Sequence, residues 1–250
     1  MNENFIKEFE QAFFADGYNI AKKILNNNIN KENILEITRQ GYSYINIFLD
    51  DFIGKCKKEN APLDCTKGCS WCCHQPVLAL PHEIIYLYDM MQNFLNKNEI
   101  DEIKQKALEK NDITGKMEVK KLMHYRHPCP LLENGACRIY EARPMGCRLF
   151  LSSSMISCRN DFYDPYNFDE FPLLYQLPLR LGRMLNEGIC TYMIENGLIP
   201  FEWTFESHLS ILFENPDVIN EWLNKKNVFQ SRLLTKEDEE YFSKFNVGNF

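Results

Sequence analysis

The chemistry-bearing residues of this chain are its cysteines. Cys65, Cys69, Cys72 and Cys73 crowd into one short stretch as C-x3-C-x2-C-C, and Cys129, Cys137, Cys147 and Cys158 follow at wider intervals. A thiolate is a soft metal ligand, and a metal cation stabilises it against a free thiol pKa of about 8.5. A C-x2-C step lets two sulfurs converge on one ion because the backbone between them can turn back. Gly68, just before Cys69, permits such a tight turn. Cys72 and Cys73 are neighbours whose side chains diverge, so they serve two metal positions more naturally than one, or supply one ligand and a spare thiol. Eight thiols divide into two sets of four, each of the kind that suits zinc or iron–sulfur chemistry. A single four-iron cluster takes only four. Ten cysteines in 250 residues can arise by drift, but a tight cluster followed by a turn-bracketed set is poorly explained that way.

Cys56 and Cys190 stand apart and are expected to be ordinary buried thiols. Four thiolates around a divalent ion leave net negative charge, so nearby cations are expected; Arg138, Arg143 and Arg148 lie within or beside the second set. His74 adjoins the doublet, His82 opens the next helix, and His124 and His127 precede Cys129. A lone histidine is more often an ordinary hydrogen-bonded residue than a ligand. His74 has the best position of the four.

Composition bounds the setting. With 45% hydrophobic and 25% charged residues the chain is an ordinary globular sequence, long enough to bury a sizeable core. A formal charge of −7 argues against general nucleic-acid binding. The first ten residues alternate charged and apolar types, without the basic start and apolar run of roughly 7–15 residues that mark a secretory signal. No apolar run approaches the roughly 18 residues that span a bilayer. The expectation is a cytoplasmic protein, where disulfides are disfavoured and clustered cysteines are metal ligands or redox groups. A protein partner or protein substrate stays open.

The elements that must position these cysteines read as mainly α. Ile34, Ile37, Gly41, Tyr44, Phe48 and Phe52 form the stripe of a helix over 31–57, separated from an earlier helix over 3–25 by the polar run 26–30. Pro81 suits the first turn of a helix reaching about Phe94, with Ile84, Tyr88, Met91 and Leu95 on one face and Glu83 favoured by the helix dipole. A further helix over 99–110 has Ile100, Ile103 and Ala107 inside and a Glu102/Lys106 pair outside. Residues 161–171, rich in acids and aromatics, read as a connector. Helical patterns return over 173–186, 200–213, 216–224 and 235–245, the last with Thr235 and Asp238 as a start signal. Three segments are expected to pack as one unit: N-terminal helices over 1–60, a cysteine core over 61–160 and C-terminal helices over 161–250.

Within the core, Asn134-Gly135 is a strong hairpin signal. A two-residue loop would point Cys129 and Cys137 to opposite faces. A three-residue loop, Glu133-Asn134-Gly135, would set Leu131 opposite Cys137 and put both cysteines on one face. Because both are expected at one metal centre, the three-residue loop with a left-handed Gly135 is expected.

The run Cys65-x3-Cys69-x2-Cys72-Cys73, with Cys129-Pro-Leu-Leu-x3-Ala-Cys137-Arg-Ile-Tyr-Glu-Ala-Arg143-Pro-Met-Gly-Cys147-Arg-Leu-Phe150, resembles a bacterial cysteine-cluster family described as a zinc- or iron-chelating domain. The resemblance spans about Asp64 to Cys158. It implies a metal site carried by Cys65, Cys69, Cys72, Cys73, Cys129, Cys137 and Cys147, with Cys158 less firmly placed. The family includes flagellin lysine N-methylases, so an S-adenosylmethionine-dependent protein-lysine methylase is an alternative to a metal-binding protein of storage, redox or partner-binding role; no glycine-rich nucleotide loop supports it. Cys65-x3-Cys69-x2-Cys72 also matches the radical S-adenosylmethionine motif. That chemistry sits on a repeated strand–helix barrel, and no such succession follows Cys73.

Overall fold

The computed structural model describes residues 3–26, 28–66, 68–167 and 171–244. In chain order its elements are α1 (Glu3–Leu25), α2 (Lys31–Lys58), β1 (Leu78–Ala79), α3 (Pro81–Phe94), α4 (Lys97–Thr114) and α5 (Val119–Met123). Then come β2 (Leu132–Glu133), β3 (Ala136–Cys137), α6 (Met145–Leu149), α7 (Met155–Tyr163), α8 (Gln176–Glu195), β4 (Trp203–Thr204), α9 (Phe205–Glu214), α10 (Val218–Leu223) and α11 (Lys236–Lys244). The fold is mainly α, as the periodicity implies. Its strands form only two short antiparallel pairs, β1 with β4 and β2 with β3, so there is no strand–helix barrel among the described residues. No described helix is long and apolar enough to cross a membrane.

The N-terminal helices start and stop where their end signals lie. The Asn30 side chain accepts from Asn33 N at 2.8 Å and so satisfies one of the free N–H groups that open α2. The buried face of α2 is broader than the expected stripe. Ile34, Ile37 and Gly41 are buried, but Tyr42, Ile45 and Leu49 replace Tyr44, Phe48 and Phe52 as its deepest residues. The reason is that α2 meets α1 on one side and α3 and α8 on the other. Tyr44 and Phe48 instead pack edge-on against Phe13 of α1, and Phe52 against Tyr175.

α1 lies along α8 at a very close approach. A Cβ on Gly17 would collide with the Leu185 carbonyl, and one on Gly188 with the Phe14 carbonyl. Two glycines are what let the backbones meet. This contact also explains why α8 runs through to Glu195 where the sequence pattern ends at 186. Gly188 weakens the local helical preference, but packing against α1 outweighs that loss of roughly 1 kcal/mol. The helix begins at Gln176 rather than 173, which keeps Pro178 in the first turn, where its missing N–H is harmless.

Two large apolar cores result, beside a small third cluster of Val119, Leu122 and Trp203. One joins α2, α3, α4, α8, α9 and α10 through Ile34, Ile84, Ile103, Ile189, Leu209 and Trp222, and Cys129 and Cys137 pack against it. The other joins α1, α2, α6 and α8 through Phe13, Leu49, Leu149 and Leu185, and Cys65 packs against it. The cysteine segments therefore sit where the two cores meet. Glu83 ties that junction together. It is 1% exposed, and its carboxylate accepts from Leu80 N at 3.0 Å, Met145 N at 2.6 Å and the Tyr42 hydroxyl at 3.1 Å. It closes the start of α3, as its position suggests, and also fixes the start of α6.

The hairpin differs from expectation. Leu132 pairs with Cys137 and Glu133 with Ala136, leaving a two-residue loop. Asn134 and Gly135 both have positive φ, 48° and 78°, the conformation of the turn that matches strand twist. The parity argument fails because β2 is two residues long and does not reach Cys129. A turn from Cys129 to Leu132, closed by Leu132 N donating to the Cys129 carbonyl at 2.9 Å, intervenes. The connector read over 161–171 is corrected in part: Asp161–Tyr163 close α7, and residues 168–170 lie outside the described residues. At the other end, Thr235 and Asp238 exchange the expected cap, with Asp238 N donating to Thr235 Oγ1 at 3.2 Å and Thr235 N to Asp238 Oδ2 at 3.0 Å. Phe245, placed at that helix's end, lies outside the described residues.

Candidate metal centre

Cys65 and Cys69 lie on an irregular loop. Asp64 N and Cys65 N donate to the Ser152 carbonyl at 3.2 and 3.3 Å, and Cys69 N donates to the Thr66 carbonyl at 3.0 Å. Gly68 has φ +96°, a backbone that a side chain would strain. Ser152 is also bridged to Leu174, and its hydroxyl interacts with the Cys158 thiol. The start of α7 is held by Ser154, whose hydroxyl accepts from Ser157 N at 3.3 Å, and by Asp64, which accepts from Met155 N at 3.0 Å. One tie thus brings Cys65 and Cys158 together across 93 residues of chain. With Cys69 and Cys72 they line a small cavity of about 10 Å³, walled by Trp71, Phe150 and Met155. Trp71 stacks in turn on Phe162 and Tyr163 of α7.

Cys72 and Cys73 ride on a single 3-10 turn, Trp71–His74. From there the backbone joins the second cysteine segment directly. Cys129 N donates to the Cys73 carbonyl and His127 N to the His74 carbonyl, both at 2.7 Å. Cys137 follows on β3. Cys147 sits on α6, which the Glu83 carboxylate anchors. Cys73, Cys129, Cys137 and Cys147 line a larger cavity of about 100 Å³ that also touches Cys65, Cys69, Cys72, Tyr140 and Arg143. All eight cysteines are thus gathered at two adjoining cavities, with the doublet on the wall between them, and none is in a disulfide.

Burial governs their ionisation. It pushes the Cys129 thiol up to about 12 and raises Cys137, Cys147, Cys65 and Cys158 above the ordinary thiol range. The doublet splits. A hydrogen bond between the two thiols raises Cys72 and lowers Cys73, to about 7, with Arg143 and Lys110 adding to the lowering. Without a cation, burial favours the neutral thiols of Cys65, Cys129, Cys137, Cys147 and Cys158; a metal ion would supply the charge that turns them into thiolates.

Of the three arginines, only Arg143 faces the thiols. It lines the larger cavity, lies 3.6 Å over the Tyr140 ring, and favours the thiolates of Cys73, Cys137, Cys147 and Cys65. Arg138 turns away to Glu102 and Glu133, at 2.6 and 2.5 Å. Arg148 is buried over Tyr42 and donates to Asn46 and to the Arg143 carbonyl. The histidines have other roles. His74 Nδ1 meets the Ser70 carbonyl at 3.1 Å, and its ring packs edge-on against Phe162. His124 contacts the Pro165 carbonyl and Tyr241. His127 contacts the Pro128 carbonyl and stacks on Tyr125. His82 is a core residue whose pKa burial depresses to about 3. Cys56 and Cys190 are buried away from both sets, as expected. Lys110 escaped the sequence reading, although its spacing from Ile103 and Ala107 puts it on the same buried face of α4.

The residues fit zinc or iron in kind: soft thiols on the walls of cavities, with cations beside them. Among the described residues no three Cys, His, Asp or Glu side chains converge closely enough to hold an ion as they stand. Ligation would draw the sulfurs inward from the cavity walls.

Residues 64–167 match the model of a family described as "CxxCxxCC: Putative zinc- or iron-chelating domain". The resemblance carried by the cysteine spacing and the Arg143-Pro144 loop therefore holds, over the segment that supplies all eight cysteines. The first spacing here is one residue longer than in the printed name. No curated protein and no solved structure matches the chain.

Proposed function

We propose that this protein, whose residues 64–167 match the model of a family described as a zinc- or iron-chelating domain, binds metal at two thiolate centres. Cys65, Cys69, Cys72 and Cys158 would hold one, and Cys73, Cys129, Cys137 and Cys147 the other. The observation that carries this reading is the division of the doublet. Cys73 is tied by its backbone to Cys129, interacts with Cys137 and Cys147 and lines only the larger cavity, while Cys158 lines only the small one and Cys65, Cys69 and Cys72 line both. The two thiols lie within hydrogen-bond reach of each other, so the one 3-10 turn would set two sites side by side. Bound zinc would supply structural cross-linking, and bound iron or an iron–sulfur cluster would supply electron transfer. Four protein thiolates fill a tetrahedral ion, which favours a structural, storage or redox role over an open catalytic position.

The test is anaerobic purification and reconstitution with zinc or iron, with metal and sulfide counted per chain. Cys72→Ser and Cys73→Ser should each lose about half of the metal, from different centres. A coloured protein with bound sulfide would identify clusters; a colourless one with about two zinc ions, mononuclear sites. Full metal retention by Cys72→Ser and Cys147→Ser would sink the reading, as would a chain that takes up no metal.

A further inference from the structure

Lys110 lies near the end of α4, yet its side chain is only 4% exposed. Its ammonium is 3.8 Å from Glu206 Oε2 on α9 and donates to the His127 carbonyl at 3.3 Å. Thr114 Oγ1 donates to the other Glu206 oxygen at 2.9 Å, which fixes the carboxylate. Burying both charges costs several kcal/mol in desolvation, so a pair of this kind is a poor device for stability alone. What Lys110 grips is informative. His127 and Cys129 are the two residues whose N–H groups join the doublet, at the His74 and Cys73 carbonyls. Lys110 thus holds the backbone seam on which Cys73 and Cys129 meet. Glu206 lies outside the matched segment 64–167.

We propose that Lys110, held in place by Glu206, is a positioning residue of the Cys73–Cys129–Cys137–Cys147 centre. This rests on the two-centre reading above. Lys110 fixes the separation of two ligands through the seam. Loss of such an outer partner weakens metal affinity by roughly 10–100-fold.

The experiment uses the full chain in two backgrounds. Cys158→Ser leaves the second centre intact, and Cys147→Ser leaves the first. Each is loaded with zinc, or with cobalt(II) as a coloured stand-in, and the rate of metal transfer to a chromophoric chelator is measured. Lys110→Met should speed transfer roughly 10–100-fold in the Cys158→Ser background and leave the Cys147→Ser background unchanged. Lys110→Arg should restore most of the difference. Equal acceleration in both backgrounds, as a merely structural lysine would give, overturns the proposal, and so does no acceleration in either. If Lys110→Met does not fold, Glu206→Gln carries the same comparison, with a smaller acceleration expected only where the second centre remains. If either cysteine substitution alone empties the chain of metal, the two-centre reading fails, and the proposal falls with it.

Discussion

Loading the second centre should release protons in a number the structure specifies. In the Cys158→Ser variant, metal would be bound by Cys73, Cys129, Cys137 and Cys147. Burial holds Cys129 near pKa 12 and raises Cys137 and Cys147, so each of the three is a thiol at pH 7 and gives up one proton on ligation. Ionising Cys129 alone at pH 7, five units below its pKa, would cost roughly 7 kcal/mol, and the metal must offset that. Cys73, lowered to about 7 chiefly by the Cys72 thiol, is half ionised and contributes about half a proton. The total is about 3.5 protons at pH 7, approaching four near pH 6 and three near pH 8. Because the metal binds the deprotonated ligands, affinity rises with pH, by about 3.5 powers of ten per unit around neutrality. Calorimetric titration with zinc in buffers of different ionisation enthalpy reads the proton count directly, and chelator competition between pH 6 and 8 reads the slope. Fewer than two protons at pH 7 would refute the reasoning, since it would mean that the buried thiols are not the ligands.

Gly188→Ala should lower stability by about 1–3 kcal/mol, read as a lower thermal midpoint, because a methyl group there meets the Phe14 carbonyl. Glu83→Gln should cost about 1–3 kcal/mol by weakening the acceptor shared by Leu80 N, Met145 N and Tyr42; Cys147, carried on the helix that Met145 starts, should then alkylate faster in metal-free protein. Burial raises Glu202 from 4.5 to about 7, so the folded state holds its proton more tightly than the unfolded chain does. Its contribution to stability is complete below about pH 4.5 and declines as pH rises through 7, by roughly 3 kcal/mol in all. Glu202→Gln, neutral throughout, should flatten that decline in denaturant titrations across this range.

The long helices were legible because their signals are local. A stripe recurring every three to four residues, Pro81 at a helix start and the Thr235–Asp238 exchange each depend on neighbours in sequence. The short elements were not. α5, α6 and β1 span five residues or fewer, too few to show a period, and β1 forms only because Ala79 and Leu78 meet Trp203 and Thr204 from more than 120 residues away. The hairpin shows both sides. Asn134-Gly135 announces its turn, but the loop length was inferred by assuming a ladder that reaches Cys129, and the chain instead turns off after two residues and meets Cys73 through its backbone.

Residue types and their spacing were enough to single out eight cysteines as a candidate metal-binding set, and the adjacency of Cys72 and Cys73 was enough to suggest two positions. Which thiol accompanies which was decided by contacts between distant segments: Ser152 tying Cys65 to Cys158, Cys129 bonding to Cys73, and Glu83 setting the helix that carries Cys147. Charge was likewise a tertiary matter. Three arginines looked equivalent beside the second set, yet only Arg143 faces the thiols, and the buried Lys110 reaches the His127 carbonyl from α4. Ligand identity is a property of side-chain chemistry, which the order of residues carries. Ligand grouping and charge balance depend on burial and through-space distance, which exist only once the two cores have packed.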